Sequence, residues 1–282
     1  METFKSKKLL FDYLKIFHNK NKSIGFVPTM GCLHQGHLSL IEKAAIENDL
    51  VVCSIFVNPT QFNDPQDFKK YPRNFEEDMQ KLSKVKCDVI FSPSEEEIYP
   101  EGLVKETYDL NGLDKVMEGK YRPGHFNGVV TVVKKLFNII GPCNAYFGEK
   151  DYQQLVIIKY ITQKLGLQVN IIPCPTVREV DGLAMSSRNL LLSPTERLNA
   201  PLIYKTLMFI KNNFNNYSSF YDLKQVAEEK INSNPYFKLD YLEIAHKDTL
   251  LPIDTISNRS LLRAFIAAYV GQIRLIDNIS LA

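Results

Sequence analysis

Short apolar runs rich in β-branched residues alternate with longer amphipathic segments through the first two thirds of the chain. Bounded by turn-forming residues, the runs read as strands at Ile24–Val27, Leu50–Val57, Val89–Phe91, Ala145–Phe147 and Val169–Ile172. Helices are expected between them over Leu38–Glu47, Phe75–Lys84, Val129–Ile140 and Tyr152–Leu165. The second of these is opened by Asn74, with Glu77 three residues on, as in a capping box. This βα alternation predicts an α/β fold, a doubly wound, Rossmann-like parallel sheet over residues 1–177. Ligands of such sheets bind beyond the carboxyl ends of the strands, so chemistry is sought in the loops that follow them.

After the polar stretch Arg178–Asn189 the pattern changes. Ser193-Pro194-Thr195-Glu196 opens a helix with a capping box and a proline at its first position. A helix around Asp222–Asn232 follows, then β-rich runs at Lys238–Ala245, Ser260–Val270 and Gln272–Ile276. Residues 178–282 are therefore expected to form a smaller α+β domain.

Composition narrows the class. Hydrophobic residues at 45% and charged residues at 23% fit a globular protein and exclude a disordered one. The longest apolar runs, Leu50–Val57 and Leu261–Val270, fall well short of the roughly 20 residues a membrane span needs. The N-terminus METFKSKKLLFDYLK is basic but has no uninterrupted apolar core with a cleavage site, so a cytoplasmic location is expected. Five cysteines at wide spacings include no C-x-x-C pair and are expected to be reduced and mainly buried. A net charge of +2 without clustered Lys and Arg argues against a nucleic-acid partner.

The first full strand runs directly into Pro28-Thr29-Met30-Gly31-Cys32-Leu33-His34-Gln35-Gly36-His37, placing H-x-G-H where a strand meets a helix N-terminus. Backbone N–H groups and the helix dipole favour an anion there, and two imidazoles can donate to phosphate oxygens. Farther on, Met185-Ser186-Ser187-Arg188 supplies hydroxyls and a permanent cation just past the last strand of the sheet. Alone, that stretch reads equally as an interdomain linker or as a loop that closes on a triphosphate. The two motifs together resemble the paired signatures of the nucleotidyltransferase superfamily that includes class I aminoacyl-tRNA synthetases.

Intervening motifs sharpen the resemblance: Phe56-Val57-Asn58-Pro59-Thr60-Gln61-Phe62, Tyr71-Pro72-Arg73, Arg122-Pro123-Gly124-His125-Phe126-Asn127-Gly128-Val129 and Phe147-Gly148-Glu149-Lys150-Asp151-Tyr152-Gln153-Gln154. Together these resemble the pantothenate synthetase family over nearly the whole chain. The resemblance implies an ATP-driven condensation of pantoate with β-alanine through a pantoyl-adenylate, with Mg2+ accompanying ATP and a homodimer as the working form. It assigns the ATP site to Met30, Gly31, Cys32, Leu33, His34, Gln35, Gly36 and His37, with Gly148, Glu149, Lys150, Asp151, Val177, Met185, Ser186, Ser187 and Arg188. His37, His34, Lys150 and Arg188 are implied as the catalytic set, and Gln61 and Gln154 as the residues for pantoate.

Asp78, beside Glu77, falls where the family has acidic residues near metal and phosphates, although a solvated capping helix explains it equally. Cys32 stands where a small residue is typical, and no step of the implied reaction calls for a thiolate. Two other functions compete: an adenylyltransferase of the same superfamily acting on a phosphate acceptor, and a catalytically silent nucleotide- or RNA-binding protein. The first would not need the Gln61 and Gln154 pair, and the second would not need His34, His37, Lys150 and Arg188 together.

Overall fold

The alternation of apolar runs becomes a six-stranded parallel sheet, seen in a computed structural model that describes residues 1–104, 106–217, 219–253 and 259–282. Its strands are β1 (Glu2–Phe4), β2 (Ile24–Thr29), β3 (Leu50–Ile55), β4 (Val89–Phe91), β5 (Cys143–Gly148) and β6 (Val169–Cys174), in the order β1-β4-β3-β2-β5-β6. The chain winds outward from β2 through β3 to β4, then returns to the other side of β2 for β5 and β6. That reversal makes the sheet doubly wound, as the βα pattern predicts. Val51, Val52 and Cys53 of β3 are all fully buried, because the strand is covered on both faces.

Strand ends depart from the apolar runs for identifiable reasons. β2 extends through Pro28 because its pairing with β5 stops at Phe26, so beyond that point no ladder on the β5 side needs an N–H from residue 28. β6 tolerates Pro173 because it is an edge strand. β1 is too short and too polar to stand out in the sequence and exists through its register with β4, Glu2 to Val89 through Phe4 to Phe91.

The chain divides into two compact units. The first comprises Met1–Asp114, Arg122–Glu149 and Gln154–Pro175 and holds the parallel sheet. The second comprises Lys115–Tyr121, Lys150–Gln153 and Thr176–Ala282. It is built on an antiparallel sheet of β7 (Phe237–His246), β8 (Leu262–Val270) and β9 (Ile273–Ser280). Helices Leu202–Asn213 and Phe220–Asn232 pack on this sheet. Ile203, Leu207, Leu223, Ala227 and Ile266 form the core there. A largely buried ionic cluster fastens Lys115–Tyr121 to this sheet: Arg274 reaches both Glu118 oxygens at 2.8 and 2.7 Å and Asp240 at 2.7 Å. The Tyr241 hydroxyl also donates to Glu118 at 3.0 Å, and burial pushes its ionisation well above the ordinary range.

All five cysteines are free thiols, and four are buried. Burial pushes the Cys87 thiol up to about 12 and the Cys174 thiol to about 11, as expected of small hydrophobic core residues.

Helix His125–Ile140 runs so close to residues 60 and 61 that a Cβ on Gly128 would lie 2.2 Å from the Thr60 carbonyl oxygen. Alanine is favoured over glycine in a helix by about 1 kcal/mol. Here the clash is with backbone that cannot rotate away, and overpacking of this kind costs about 1–3 kcal/mol. Gly128→Ala should therefore lower the urea midpoint, and a midpoint equal to or above the parent's would contradict this packing.

Candidate active site

β2 and β5 are neighbours from which the chain departs in opposite directions, so their carboxyl ends flank the topological switch point. The β2–β5 ladder has only the pairs Gly25 to Asn144 and Phe26 to Ala145, whereas β2 and β3 pair from Ile24 to Thr29. β2 therefore loses its neighbour on the β5 side before it ends. Met30–His37 follows β2, and Gly148 and Glu149 close and follow β5.

The turn after β2 is held by side chains at its start and along its length. Thr29 Oγ1 donates to the Ser54 carbonyl at 2.7 Å and accepts the Gly31 N–H at 3.2 Å. Gly31 and Cys32 then adopt left-handed backbone, at φ +77° and +51°. This turns the Cys32 and Leu33 N–H groups onto the carboxylate of Asp78, at 2.8 and 2.6 Å. Lys81, one turn along the same helix (Phe75–Leu82), donates to the Leu33 carbonyl at 2.7 Å and pairs with Glu77 at 2.7 Å. Asp78 is 2% exposed, and burial raises its carboxyl above the usual carboxylate range against the pull of the two N–H donors. Its oxygens are thus committed to shaping the loop. Among the described residues no group of three His, Cys, Asp or Glu side chains could hold a metal ion. The geometry gives Asp78 a loop-holding role.

Helix Gln35–Glu47 begins with a reciprocal cap made by the two histidines. His34 Nδ1 accepts the Gly36 N–H at 3.1 Å, and His37 Nδ1 accepts the His34 N–H at 3.3 Å. An Nδ1 that accepts cannot carry the proton of a neutral imidazole, so both rings hold it at Nε2. The rings lie 4.0 Å apart between centroids, which places two N–H donors side by side at a helix N-terminus.

Gln61 is part of the same unit, half-buried, and its amide donates to Met30 Sδ at 2.8 Å. Asn58, 1% exposed, donates to Gln61 Oε1 at 3.2 Å and accepts from the Tyr99 hydroxyl at 2.7 Å. The Gln61 carbonyl accepts from His125 Nδ1 at 2.7 Å, and Arg122 lies 3.2 Å from the other ring nitrogen. Gln154 also belongs to this unit and is half-buried, whereas Gln153 is 4% exposed. The latter is consumed by the Glu118 N–H at 3.0 Å and the Val116 carbonyl at 2.9 Å.

The remaining expected residues belong to the second unit. Lys150 is 19% exposed at its side chain and lies 3.7 Å from Asp151. Val177 and Met185 close a short hairpin through the Met185 N–H to Val177 carbonyl bond at 3.0 Å. Ser186 then caps a short 3-10 helix over Ser187–Leu191, accepting the Arg188 N–H at 3.3 Å.

A family model for pantoate-beta-alanine ligase matches residues 2–280. The chain belongs to the pantoate-beta-alanine ligase family. It is 47% identical over 282 residues to a pantothenate synthetase from Christiangramia forsetii, covering 100% of this chain and 99% of the relative. It is likewise 47% identical over 279 residues to one from Aquifex aeolicus, covering 98% and 97%. Among solved structures, a pantothenate synthetase from Thermus thermophilus superposes with a TM-score of 0.92 at 42% identity, covering 100% and 99% of the two chains. A pantoate-beta-alanine ligase from Francisella tularensis, complexed with beta-gamma ATP and beta-alanine, matches with a TM-score of 0.83 at 40% identity, covering 100% and 98%.

Within this family frame, several residues had no role assigned from sequence. Asn58, Arg122 and His125 lie in the motifs that carry the resemblance, yet only the fold reveals that they hold Gln61. Lys81 had no sequence signal beyond its spacing of three from Asp78 and four from Glu77.

The loop-holding role of Asp78 is testable. Asp78→Asn keeps one acceptor but turns an amide N–H toward the second backbone donor, and a buried unpaired N–H costs about 1–3 kcal/mol. The variant should lose stability of that order in urea denaturation and raise the KM for ATP. A variant of parent stability whose only change is its metal requirement would contradict the assignment.

Proposed function

We propose that this chain condenses pantoate with β-alanine to pantothenate in two steps at one site. Pantoate's carboxylate attacks the α-phosphorus of ATP, forming pantoyl-adenylate and releasing pyrophosphate. The amine of β-alanine, once deprotonated, attacks the acyl carbon and AMP leaves. Membership of the ligase family supports the substrates, and the reciprocal cap of His34 and His37 is the observation that carries the chemistry. A carboxylate approaching a triphosphate meets like charge, so catalysis requires donors already aimed where negative charge grows. Two imidazoles fixed as Nε2–H donors at a helix N-terminus meet that need with little reorganisation.

In this reading Met30–His37, Gly148–Asp151, Val177 and Met185–Arg188 bind ATP, and Lys150 and Arg188 add permanent charge to the phosphates. Gln61 and Gln154 hold pantoate, their amides matching a ligand with both hydroxyls and a carboxylate. Gln61 is suited to this because Asn58 and the His125 contact fix its amide and backbone. Mg2+ would accompany ATP and screen its phosphates, with Asp78 as the nearby carboxylate, since such ions commonly rely on substrate phosphates together with one or two carboxylates. Residues 178–282 act as a lid carrying Arg188, and the working form is a cytoplasmic homodimer.

Because adenylation precedes the amine, pantoate-dependent exchange of labelled pyrophosphate into ATP should proceed without β-alanine. His37→Ala and Lys150→Ala should each slow exchange about 10²–10³-fold, the usual effect of removing one such donor. Gln61→Ala should instead raise the pantoate requirement far more than that for ATP. Exchange that demands β-alanine would overturn the two-step reading.

A further inference from the structure

Two of the motifs assigned to ATP, the Lys150 turn and the Met185–Arg188 loop, lie far apart in sequence but in one unit of the fold. Two adjacent residues of β9, Asp277 and Asn278, bind the chain beside each of them. Successive side chains of a strand point to opposite faces, so a single dipeptide can hold two segments at once.

Asp277 has a side chain 1% exposed. It receives the Arg178 guanidinium in bidentate fashion, at 2.6 and 3.0 Å. Arg178 also donates to the Gly182 carbonyl at 3.1 Å and the Asn278 carbonyl at 3.3 Å, and stacks over Tyr204 at 4.2 Å. These bonds fix the hairpin that delivers Met185–Arg188. Its tip, Gly182, sits at φ +91° so tightly on Tyr204 that a Cβ would lie 2.1 Å from the ring. On the other side Asn278, 3% exposed, donates to the Lys150 carbonyl at 2.8 Å. Its oxygen accepts Arg263 Nε at 2.5 Å, and Arg263 stacks over Tyr152 at 3.9 Å, two residues beyond Lys150. Neither residue is exposed to solvent in a way that suits a substrate: Asn278 acts on the Lys150 backbone directly, and Asp277 acts through Arg178 on the hairpin that precedes Met185–Arg188.

We propose that Asp277 and Asn278 are positioning residues for adenylation, setting the placement of Lys150 and of the Met185–Arg188 loop in relation to each other. This deepens, and rests on, the assignment of Lys150 and Arg188 to the triphosphate. Binding the two motifs to adjacent residues of one strand makes their spacing a property of the sheet. A displacement of about 1 Å in a catalytic group can cost on the order of 10²-fold in rate, so the effect belongs in turnover.

The test is Asn278→Asp, which keeps the acceptor for Arg263 but removes the N–H that holds the Lys150 carbonyl. Pyrophosphate exchange turnover should fall at least about tenfold. The KM values for ATP and pantoate should stay within about threefold, and aminolysis of supplied pantoyl-adenylate within about threefold, because that step makes less demand on phosphate charge. The double variant Lys150→Ala with Asn278→Asp should exchange no more slowly than Lys150→Ala alone, since residues acting as one unit are not additive. If Asn278→Asp does not fold, Asn278→Ser carries the same expectations. Asp277→Asn, which weakens one arm of the Arg178 pair, should show the same split and be non-additive with Arg188→Ala. A folded Asn278 variant that exchanges at the parent rate, loses both half-reactions equally, or adds fully to Lys150→Ala overturns the proposal. Lys150→Ala at the parent exchange rate would instead defeat the underlying assignment of Lys150.

Discussion

The buried carboxylate of Asp78, seated on the Cys32 and Leu33 N–H groups, is the interaction on which the first motif depends. Left-handed backbone at a non-glycine residue such as Cys32 costs about 1–2 kcal/mol. Hydrogen bonds to a charged acceptor contribute about 1.5–3 kcal/mol each, enough to hold the turn in that shape. Once the turn is fixed, His34 falls at the cap of its helix and His37 one turn on, where each ring accepts a backbone N–H. The orientation of the two imidazoles proposed for catalysis thus derives from a residue more than forty positions away.

The same division between groups proposed to act and groups that place them recurs through the molecule. Gln61 is supported from Asn58, Tyr99 and His125, and the Lys150 turn from Asn278 and Arg263. Such support suits a reaction between two anions. Long cationic side chains lose much entropy when ordered, and a site that fixes the backbone beneath them reduces what substrate binding must supply.

The sheet was legible in the sequence because β2, β3 and β5 carry apolar runs with nothing else to be, and because helices with clear caps separate them. β1 was not, since three residues with a polar first position gain their structure only from register with β4. The H-x-G-H and Met-Ser-Ser-Arg motifs were legible because their residue types match phosphate chemistry. The supporting roles were hidden: Asp78 announces itself as a metal-side or helix-capping acid, and Asp277 and Asn278 as polar residues of a late strand. Each works through contacts of long sequence separation, which no local pattern encodes. Cys32, singled out as a departure within the motif, proves 9% exposed and notable for its backbone rather than its thiol.

Central to the mechanism is attack of pantoate's own carboxylate on the α-phosphorus. Turnover of pantoate labelled with oxygen-18 in its carboxylate, with ATP and β-alanine, tests it most directly. Each pantothenate formed should be accompanied by AMP carrying one labelled oxygen, with none in pyrophosphate. Label in inorganic phosphate, with ADP as the nucleotide product, would mean attack at the γ-phosphorus and would contradict the adenylate route.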